Sequence, residues 1–446
     1  MRDSSRFRFA CFWGILLAAL LLRGSMLAVK WSELTEDRDG YLGIAAAIMA
    51  GDGFCTPGSS VPTAFRPPLY PLLLSLPVSW AGSLGIAVVQ LFLGLACVAG
   101  TMIWARQWIP RGGVCLAGAI VACDPLLLRY TSQPMTEVAS AALTAWLMWA
   151  WCRYARQRNW GNLCLTGGLF GLAVLCRPAA LPMPAVLCML YVIDAWWTAR
   201  GEKPAAWIWS RSRAGLAEVL LVSLIGLLVL LPWGVRNALV LGEFKLTTTH
   251  GGYTLLLGNN PVFYEAVARQ PWGITWGDYA DDHPLGQPVW LRGVNASLEL
   301  QGLRTEFERD RAQYRLAWEH IRDDPGGFLR ACLLRQARLW SPLPMGPEAR
   351  ELPRFAGWVL IGFYGAVYGL ACVGLVRILS HRAARAAVWP GLALVLTLTC
   401  VHLFFWTNAR MRAPIMPVLA VWAGCTWGTL PPRRAAPAAS HIEEAT

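Results

Sequence analysis

Hydrophobic runs dominate the chain, and polar stretches of very unequal length separate them. Ten of the runs are long enough to cross the roughly 30 Å hydrocarbon core of a bilayer. A shorter run over 69–78 contains Pro71 and Pro77, which predicts a re-entrant or interfacial segment. The pattern predicts an all-α polytopic membrane protein with about ten to twelve transmembrane helices. The ten long runs cover about 9–29, 83–105, 112–128, 135–151, 160–176, 179–197, 216–235, 355–376, 387–406 and 413–430.

Two polar stretches, 30–82 and 236–354, are too long to be tight turns and too polar to span a membrane. Arginine and lysine are concentrated in the short stretches on one side of the predicted helices, for example at Arg153, Arg156 and Arg158. Because basic residues collect in cytoplasmic loops, both termini are expected in the cytoplasm and the two long stretches outside. Four units are predicted. Residues 1–235 form a transmembrane module with a first outer loop at 30–82, and residues 236–354 form an outer lid. Residues 355–430 form further transmembrane helices, and residues 431–446 form a disordered cytoplasmic tail.

The second outer stretch contains two helical patterns. Apolar residues recur at helical spacing from Leu300 to Ile321, which predicts an amphipathic surface helix ending near Pro325. The stretch 328–340 then alternates apolar residues with arginines, which is typical of a helix lying in the bilayer interface. Together with its turn signals, the stretch is expected to form a small mixed lid.

Composition agrees with a membrane protein, since 56% of the 446 residues are hydrophobic and only 15% are charged. The 24 tryptophans fit aromatic belts at the membrane surfaces. The net charge of +12 follows from topology, and with no basic arm or nucleic-acid motif a nucleic-acid partner is not expected. Neither the 13 cysteines nor the 6 histidines form a metal-binding or disulfide spacing motif, so no cofactor is predicted, although a divalent metal stays possible.

Carboxylates in the first outer loop are the first candidate chemistry. Glu36, Asp37 and Asp39 follow the first hydrophobic run, and a helix starting near Thr35 would place Asp37 and Tyr41 on one face. Capping of that helix explains one aspartate, but three carboxylates exceed what capping needs. An ionised carboxylate can accept the proton of an attacking hydroxyl, so we predict that Asp37 is a catalytic base.

Arginines at the outer ends of the predicted helices are the second candidate. Arg66 precedes two prolines that stiffen its backbone, and a guanidinium binds phosphate in bidentate fashion. Glu137 could cap a helix, pair with an arginine or act as a second catalytic carboxylate. Convergence on one anionic group would predict a lipid-phosphate substrate at the bilayer edge. The other arginines in such positions are Arg129, Arg177, Arg236, Arg410 and Arg412.

The order of short motifs resembles that of bacterial GT-C glycosyltransferases, in particular the protein-mannosyltransferase and aminoarabinose-transferase-like group (glycosyltransferase family 39-like). Each motif is short, and the specificity lies in their order along nearly the whole chain. They are Asp37 to Ala45 with Gly51-Asp52-Gly53-Phe54, Phe65-Arg66-Pro67-Pro68, Tyr130 to Glu137, Arg177-Pro178, Pro232 to Asn237, Gly251-Gly252-Tyr253, Leu257 to Pro261 and Arg410 to Pro414.

This resemblance implies an inverting transferase that moves a hexosyl or pentosyl group from a polyprenyl-phosphate donor to an acceptor hydroxyl. Asp37 matches the family's first-loop acid, and Arg66 matches the basic residue that faces the lipid phosphate. The family often has two adjacent acids there, whereas Arg38 follows Asp37, so Glu36 or Asp39 could share the role. The predicted catalytic residues are Asp37 and Glu137; the predicted substrate-binding residues are Tyr41, Arg66, Arg177, Arg236, Asn259, Asn260, Arg410 and Arg412.

The expected location is the bacterial inner (cytoplasmic) membrane, with the active site facing the periplasm or exterior. The expected partners are the lipid-linked donor, membrane lipids and a lipid, glycan or protein acceptor. Two alternatives stay open. A surface-polysaccharide ligase or polymerase would carry its essential residues in the late loop, and a lipid or sugar transporter would show inverted repeats.

Overall fold

The structure, a computed structural model, describes residues 2–198, 205–380 and 385–428. The predicted tail 431–446 lies outside the described residues. Most of the described chain is helical, it contains no named strand, and six of its helices are long and apolar enough to cross a membrane. The prediction of an all-α polytopic membrane protein is therefore confirmed.

The first 241 residues contain nine helices within the described chain, each matching a hydrophobic run or the first loop. The loop contributes only a 3₁₀ turn, Trp31–Thr35, and the short helix α2. The helices are α1 (Arg2–Val29), α2 (Tyr41–Ala50), α3 (Leu69–Ala105), α4 (Arg111–Cys123), α5 (Pro125–Arg129), α6 (Thr136–Arg156), α7 (Trp160–Cys176), α8 (Met183–Thr198) and α9 (Ala205–Leu241).

Two boundaries in this module differ from the prediction. The run 69–78 is no separate segment but the first part of α3, joined to the rest through a kink at Gly82, whose φ is 52° and ψ is −129°. The run 112–128 is broken into α4 and α5 at Asp124. Asp124 caps α5 by accepting a hydrogen bond from the Leu127 amide at 2.8 Å, which satisfies a backbone donor at the break.

Six helices occupy the 236–354 segment and three follow it. They are α10 (Gly251–Gly258), α11 (Pro261–Phe263, continued by a π-helical turn Tyr264–Ala268), α12 (Gln287–Leu300), α13 (Glu306–Asp323), α14 (Pro325–Trp340), α15 (Pro347–Glu351), α16 (Arg354–Ser380), α17 (Arg385–Phe404) and α18 (Met416–Gly424). A 3₁₀ turn, Ala409–Ile415, leads into α18, all of whose residues are buried.

The 236–354 segment departs from the prediction in three ways. Its ordered elements are helical, so it is not a mixed lid in the part of the chain the structure describes. The amphipathic helix begins at Glu306, because Gly302 has a left-handed φ of 74° and Thr305 caps the new helix. In α14, Arg335 and Arg338 are buried and bond to backbone carbonyls, while Leu329 and Leu333 are exposed.

Close backbone approach at glycines holds the helical bundle together around α18. A side chain at Gly374 would lie 1.7 Å from the Trp422 carbonyl oxygen, and one at Gly113 would lie 2.2 Å from that of Gly424. Small residues that allow such contact are typical of helix packing in membranes, where apolar burial alone gives little preference for a partner. A disulfide between Cys11 and Cys115, which the sequence did not predict, joins α1 to α4.

Candidate active site

Asp37 caps the N-terminus of α2. Its two carboxylate oxygens accept hydrogen bonds from the amides of Leu42 at 2.9 Å and Gly43 at 2.7 Å. The predicted helix from Thr35 is wrong, because Gly40 adopts a left-handed φ of 77° and the helix begins only at Tyr41. Asp37 thus precedes the helix, and its side chain caps the first backbone amides of α2.

Asp39 lies between two arginines from distant parts of the chain. One carboxylate oxygen is 3.4 Å from a terminal nitrogen of Arg66, and the other is 3.0 Å from one of Arg410. The Asp39 side chain is 19% exposed. Burial acts to raise the pKa of this carboxyl, but the charges of Arg410 and Arg66 outweigh it, so the pKa lies below its usual value.

Glu137 links Arg410 to a third arginine. Its Oε1 accepts from Arg177 at 2.5 Å and lies 3.7 Å from Nε of Arg410, and its side chain is only 1% exposed. Oε2 of Glu137 has no hydrogen-bond partner among the described residues. Arg66, Asp39, Arg410, Glu137 and Arg177 form what we call the charge cluster. With three cations against two anions, it can accept a further negative group.

Aromatic rings surround Arg66. Its guanidinium carbon lies 5.7 Å from the centre of the Tyr41 ring and 5.3 Å from that of Phe65. His250 packs edge-on to Phe65, and its Nε2 is 3.5 Å from a terminal nitrogen of Arg66. Burial and the charge of Arg66 lower the pKa of His250 to about 3. The imidazole is therefore neutral near pH 7, and since arginine only donates, Nε2 accepts and Nδ1 carries the proton.

The cluster residues lie at one end of the bundle, some at the start of a helix and others after the end of one. Arg66 lies three residues before α3 and Glu137 lies in the first turn of α6, whereas Arg177 follows α7 and Arg410 follows α17. Helices that alternate in direction bring the start of one beside the end of another, so all four reach one end of the bundle.

Residues 65–233 match the family of dolichyl-phosphate-mannose-protein mannosyltransferases. An oligosaccharyltransferase from Archaeoglobus fulgidus in its apo form matches with a TM-score of 0.52 and 14% identity, over 94% of this chain and 50% of that one. AglB from the same organism, in complex with an inhibitory peptide and a dolichol-phosphate, matches with a TM-score of 0.50 and 14% identity, over 93% and 49%. The chain has a GT-C fold. The predicted resemblance is confirmed.

The chain spans about half the length of the oligosaccharyltransferases that it matches. ArnT from Cupriavidus metallidurans, bound to undecaprenyl phosphate, matches with a TM-score of 0.44 and 14% identity, over 92% of this chain and 76% of that one. No curated protein matches the sequence.

Two of the arginines predicted to bind substrate do not contact the charge cluster. Arg236 donates to the carbonyls of Thr63 and Phe54, at 2.7 and 2.8 Å. The buried Arg412 donates to the carbonyls of Leu339 and Ser341, and its guanidinium carbon lies 4.2 Å from the centre of the Tyr364 ring. Both guanidiniums satisfy backbone carbonyls and thereby hold the surrounding fold.

The predicted amides also bond within the fold. Asn259 donates to the carbonyls of Leu255 and Phe404, both at 2.7 Å, and Asn260 caps α11 by accepting from the Phe263 amide at 2.8 Å. Both asparagines are fully buried. Both side chains bond backbone groups at helix ends, which lack partners within the helix, and this explains the Asn-Asn-Pro motif.

Asp39 and His250 are the residues that sequence reasoning placed least well. From the sequence, Asp39 is one of two acids that could share the role of Asp37; the other, Glu36, pairs with Arg38 on the exposed surface, at 2.7 Å. The predicted meeting of Asp37 with Arg66 is replaced by that of Asp39 with Arg66, two residues further on. No local signal marks His250, since its role depends on packing against a loop almost two hundred residues earlier.

Proposed function

We propose that this protein is a glycosyltransferase that moves a sugar from a polyprenyl-phosphate donor to an acceptor hydroxyl. The observation that carries the proposal is the Asp39 carboxylate held between Arg66 and Arg410 within a GT-C fold. Support comes from the match to a family of dolichyl-phosphate-mannose users and from the dolichol-phosphate bound to AglB. The site would face the outside of a bacterial cytoplasmic membrane, as the distribution of basic residues predicts.

The donor phosphate would bind at the charge cluster. Arg66 and Arg410 are each oriented by Asp39, and a phosphate oxygen can take the same hydrogen-bond donors. Arg177 stays anchored on Glu137 and Thr136, at 2.5 and 2.9 Å, and supplies a fixed positive charge beside them. The phosphate would therefore displace Asp39 from its arginines and leave that carboxylate free.

Asp39 would then act as the general base. The acceptor oxygen attacks the anomeric carbon of the sugar from the face opposite the phosphate, and its proton passes to Asp39. The bond between the anomeric carbon and the phosphate oxygen breaks, and the electron pair stays on the polyprenyl phosphate. Arg66 and Arg410 neutralise the charge that develops on this leaving group, and the anomeric configuration is inverted.

In this proposal Asp37 is assigned a positioning role. Its bonds to the amides of Leu42 and Gly43 fix the start of α2 and hence the backbone that carries Asp39 and Tyr41. The 236–354 segment contacts the cluster through His250, which lies beside Arg66, and would contribute to acceptor choice.

Binding of undecaprenyl phosphate to the purified, detergent-solubilised protein tests the phosphate site. Arg66→Ala and Arg410→Ala should each weaken binding by about tenfold or more, because each removes a charged donor from the anion. Arg330→Ala, at an exposed position of α14, is the matched control and should bind like wild type. Equal affinities for all four proteins, or no binding by wild type, would overturn the proposal.

A further inference from the structure

Glu306, the first residue of α13, joins the two loops that carry Arg66 and His250. Its carboxylate accepts hydrogen bonds from the Thr63 hydroxyl, from the Ala64 amide at 2.9 Å and from the Thr249 hydroxyl at 3.0 Å. The Thr249 amide also donates to the Ala64 carbonyl at 3.0 Å. One side chain from a third element thus fixes both loops immediately before their functional residues.

A second acid on the same face fixes α13 itself. Asp310, one turn after Glu306, accepts from the Lys245 ammonium and from the Gly252 amide at 2.7 Å. At Gly252 a side chain would come within 2.2 Å of the Asp310 carbonyl oxygen, so the helix approaches this backbone as closely as glycine permits. The position of Glu306 is therefore determined by docking of the whole helix.

The consequence for Arg66 follows from how its backbone is held. Pro67 and Pro68 restrict the chain on its C-terminal side, because their rings fix φ. On the N-terminal side, the bonds of Glu306 to Thr63 and Ala64 add to those that Arg236 and the Thr249 amide make to the carbonyls of the same two residues. Without the bonds of Glu306, the guanidinium would keep its charge, but its distances to Asp39 and His250 would be held less firmly.

We propose that Glu306 is a positioning residue for the donor phosphate: it sets Arg66 and His250 in the arrangement that receives the anion. The inference rests on the proposed function, since it assigns the phosphate to Arg66. It adds that α13, a helix of the 236–354 segment, controls the affinity of a site built largely from other elements.

The test compares undecaprenyl phosphate binding and thermal stability of the full-length protein in detergent. Glu306→Ala removes all three acceptor contacts and should weaken binding by about tenfold to a hundredfold, as expected for a displaced binding group. Glu306→Gln keeps one acceptor oxygen and should fall between Glu306→Ala and wild type. Glu308→Gln is the matched control: it alters the capping box in the same turn, where Glu308 bonds the Thr305 amide at 2.9 Å, and should leave binding unchanged.

The outcomes separate this inference from the proposed function. If wild type binds undecaprenyl phosphate and both Glu306 variants bind it with the same affinity as wild type, the positioning role is overturned and the phosphate site is unaffected. Lower melting temperatures with unchanged affinity of the folded fraction also overturn it, since that result describes a purely structural contact. If Glu306→Ala does not fold, Glu306→Gln decides. Absence of binding by wild type contradicts the proposed function itself.

Discussion

At the scale of single residues, two aspartates two positions apart have different environments. Asp37 is exposed and bonded to backbone amides at the start of a helix, whereas Asp39 is mostly buried and bonded to two arginines. An arginine-paired carboxylate is a weak base at rest, because the positive charges hold its pKa down. We infer that donor binding restores the basicity of Asp39, because the arginines then bond to the phosphate. The donor would therefore bind before the acceptor.

His250 gives a prediction for pH. Its pKa of about 3 in the folded protein lies below the ordinary value of 6.5, so the unfolded chain takes up a proton first as pH falls. Stability should therefore decrease from about pH 6.5 towards pH 3, by at most about 1.4 kcal/mol per pH unit from this residue. The melting temperature of His250→Gln, measured in detergent, should fall less than that of wild type between pH 7 and pH 5.

His283, an exposed histidine of the same segment, supplies the control. His283→Gln should show the same acid-induced loss of melting temperature as wild type. If His250→Gln and wild type lose stability in parallel, the imidazole is not held neutral beside Arg66.

The sequence allowed prediction of the cluster residues that lie next to helix ends. Arg66, Glu137 and Arg177 stand out because arginines and acids are unusual at these boundaries. The pairing of Asp39 with Arg410 could not be predicted, since 371 positions separate the two residues and neither spacing nor periodicity relates them.

At the scale of elements, α13 is the helix on which the 236–354 segment is organised. Its Thr305 capping box, in which Thr305 and Glu308 bond each other's backbone amides, starts the helix one residue before Glu306. The acids Glu306 and Asp310 then meet the chain that leads to α10. This dense set of polar bonds makes the contact between α10 and α13 specific in a way that apolar packing alone would not.

Gly252→Ala tests how tightly α10 docks on α13. The added methyl would lie 2.2 Å from the Asp310 carbonyl oxygen, a backbone atom that cannot rotate away. We expect a loss of about 1–3 kcal/mol in stability, typical of overpacking at a close contact. The measurement is thermal unfolding in detergent.

Gly293→Ala is the matched control, because Gly293 lies inside α12 and no atom approaches within 4 Å of the added methyl. That change should leave stability equal or raise it by about 0.5–1 kcal/mol, since alanine loses less conformational freedom in a helix. Two equally stable variants would mean that α13 does not approach α10 as closely as described.

Hydrophobic run length predicted the helices of the bundle well, because every run of membrane length contains a helix in the part of the chain that the structure describes. It failed where backbone chemistry interrupts a run. A left-handed glycine kinks α3 at Gly82, and a capping side chain divides α4 from α5 at Asp124. The helix expected from Leu300 begins late for the same reason, since Gly302 and Thr305 end one helix and start the next.

At the scale of the whole molecule, the fold explains why one end of the bundle collects charge. The loops before and after α2, the first turn of α6, the residue that follows α7 and the 3₁₀ turn before α18 all contribute to the cluster. Apolar packing and close glycine contacts hold the rest of these helices in place, so the polar groups meet without help from a separate domain. Only the three-dimensional arrangement reveals this meeting point.

The central claim is that Asp39 serves a transfer reaction from a polyprenyl-phosphate donor. It is tested most directly by mass spectrometry of polyprenyl-phosphate-linked sugars in cells that lack this protein and are complemented with wild type, Asp37→Asn or Asp39→Asn, at matched protein levels. We predict that one such lipid accumulates in the deletion and with Asp39→Asn, and is consumed with wild type and, at least in part, with Asp37→Asn. Consumption by Asp39→Asn at the wild-type level, or a lipid profile unaffected by the deletion, would contradict the account.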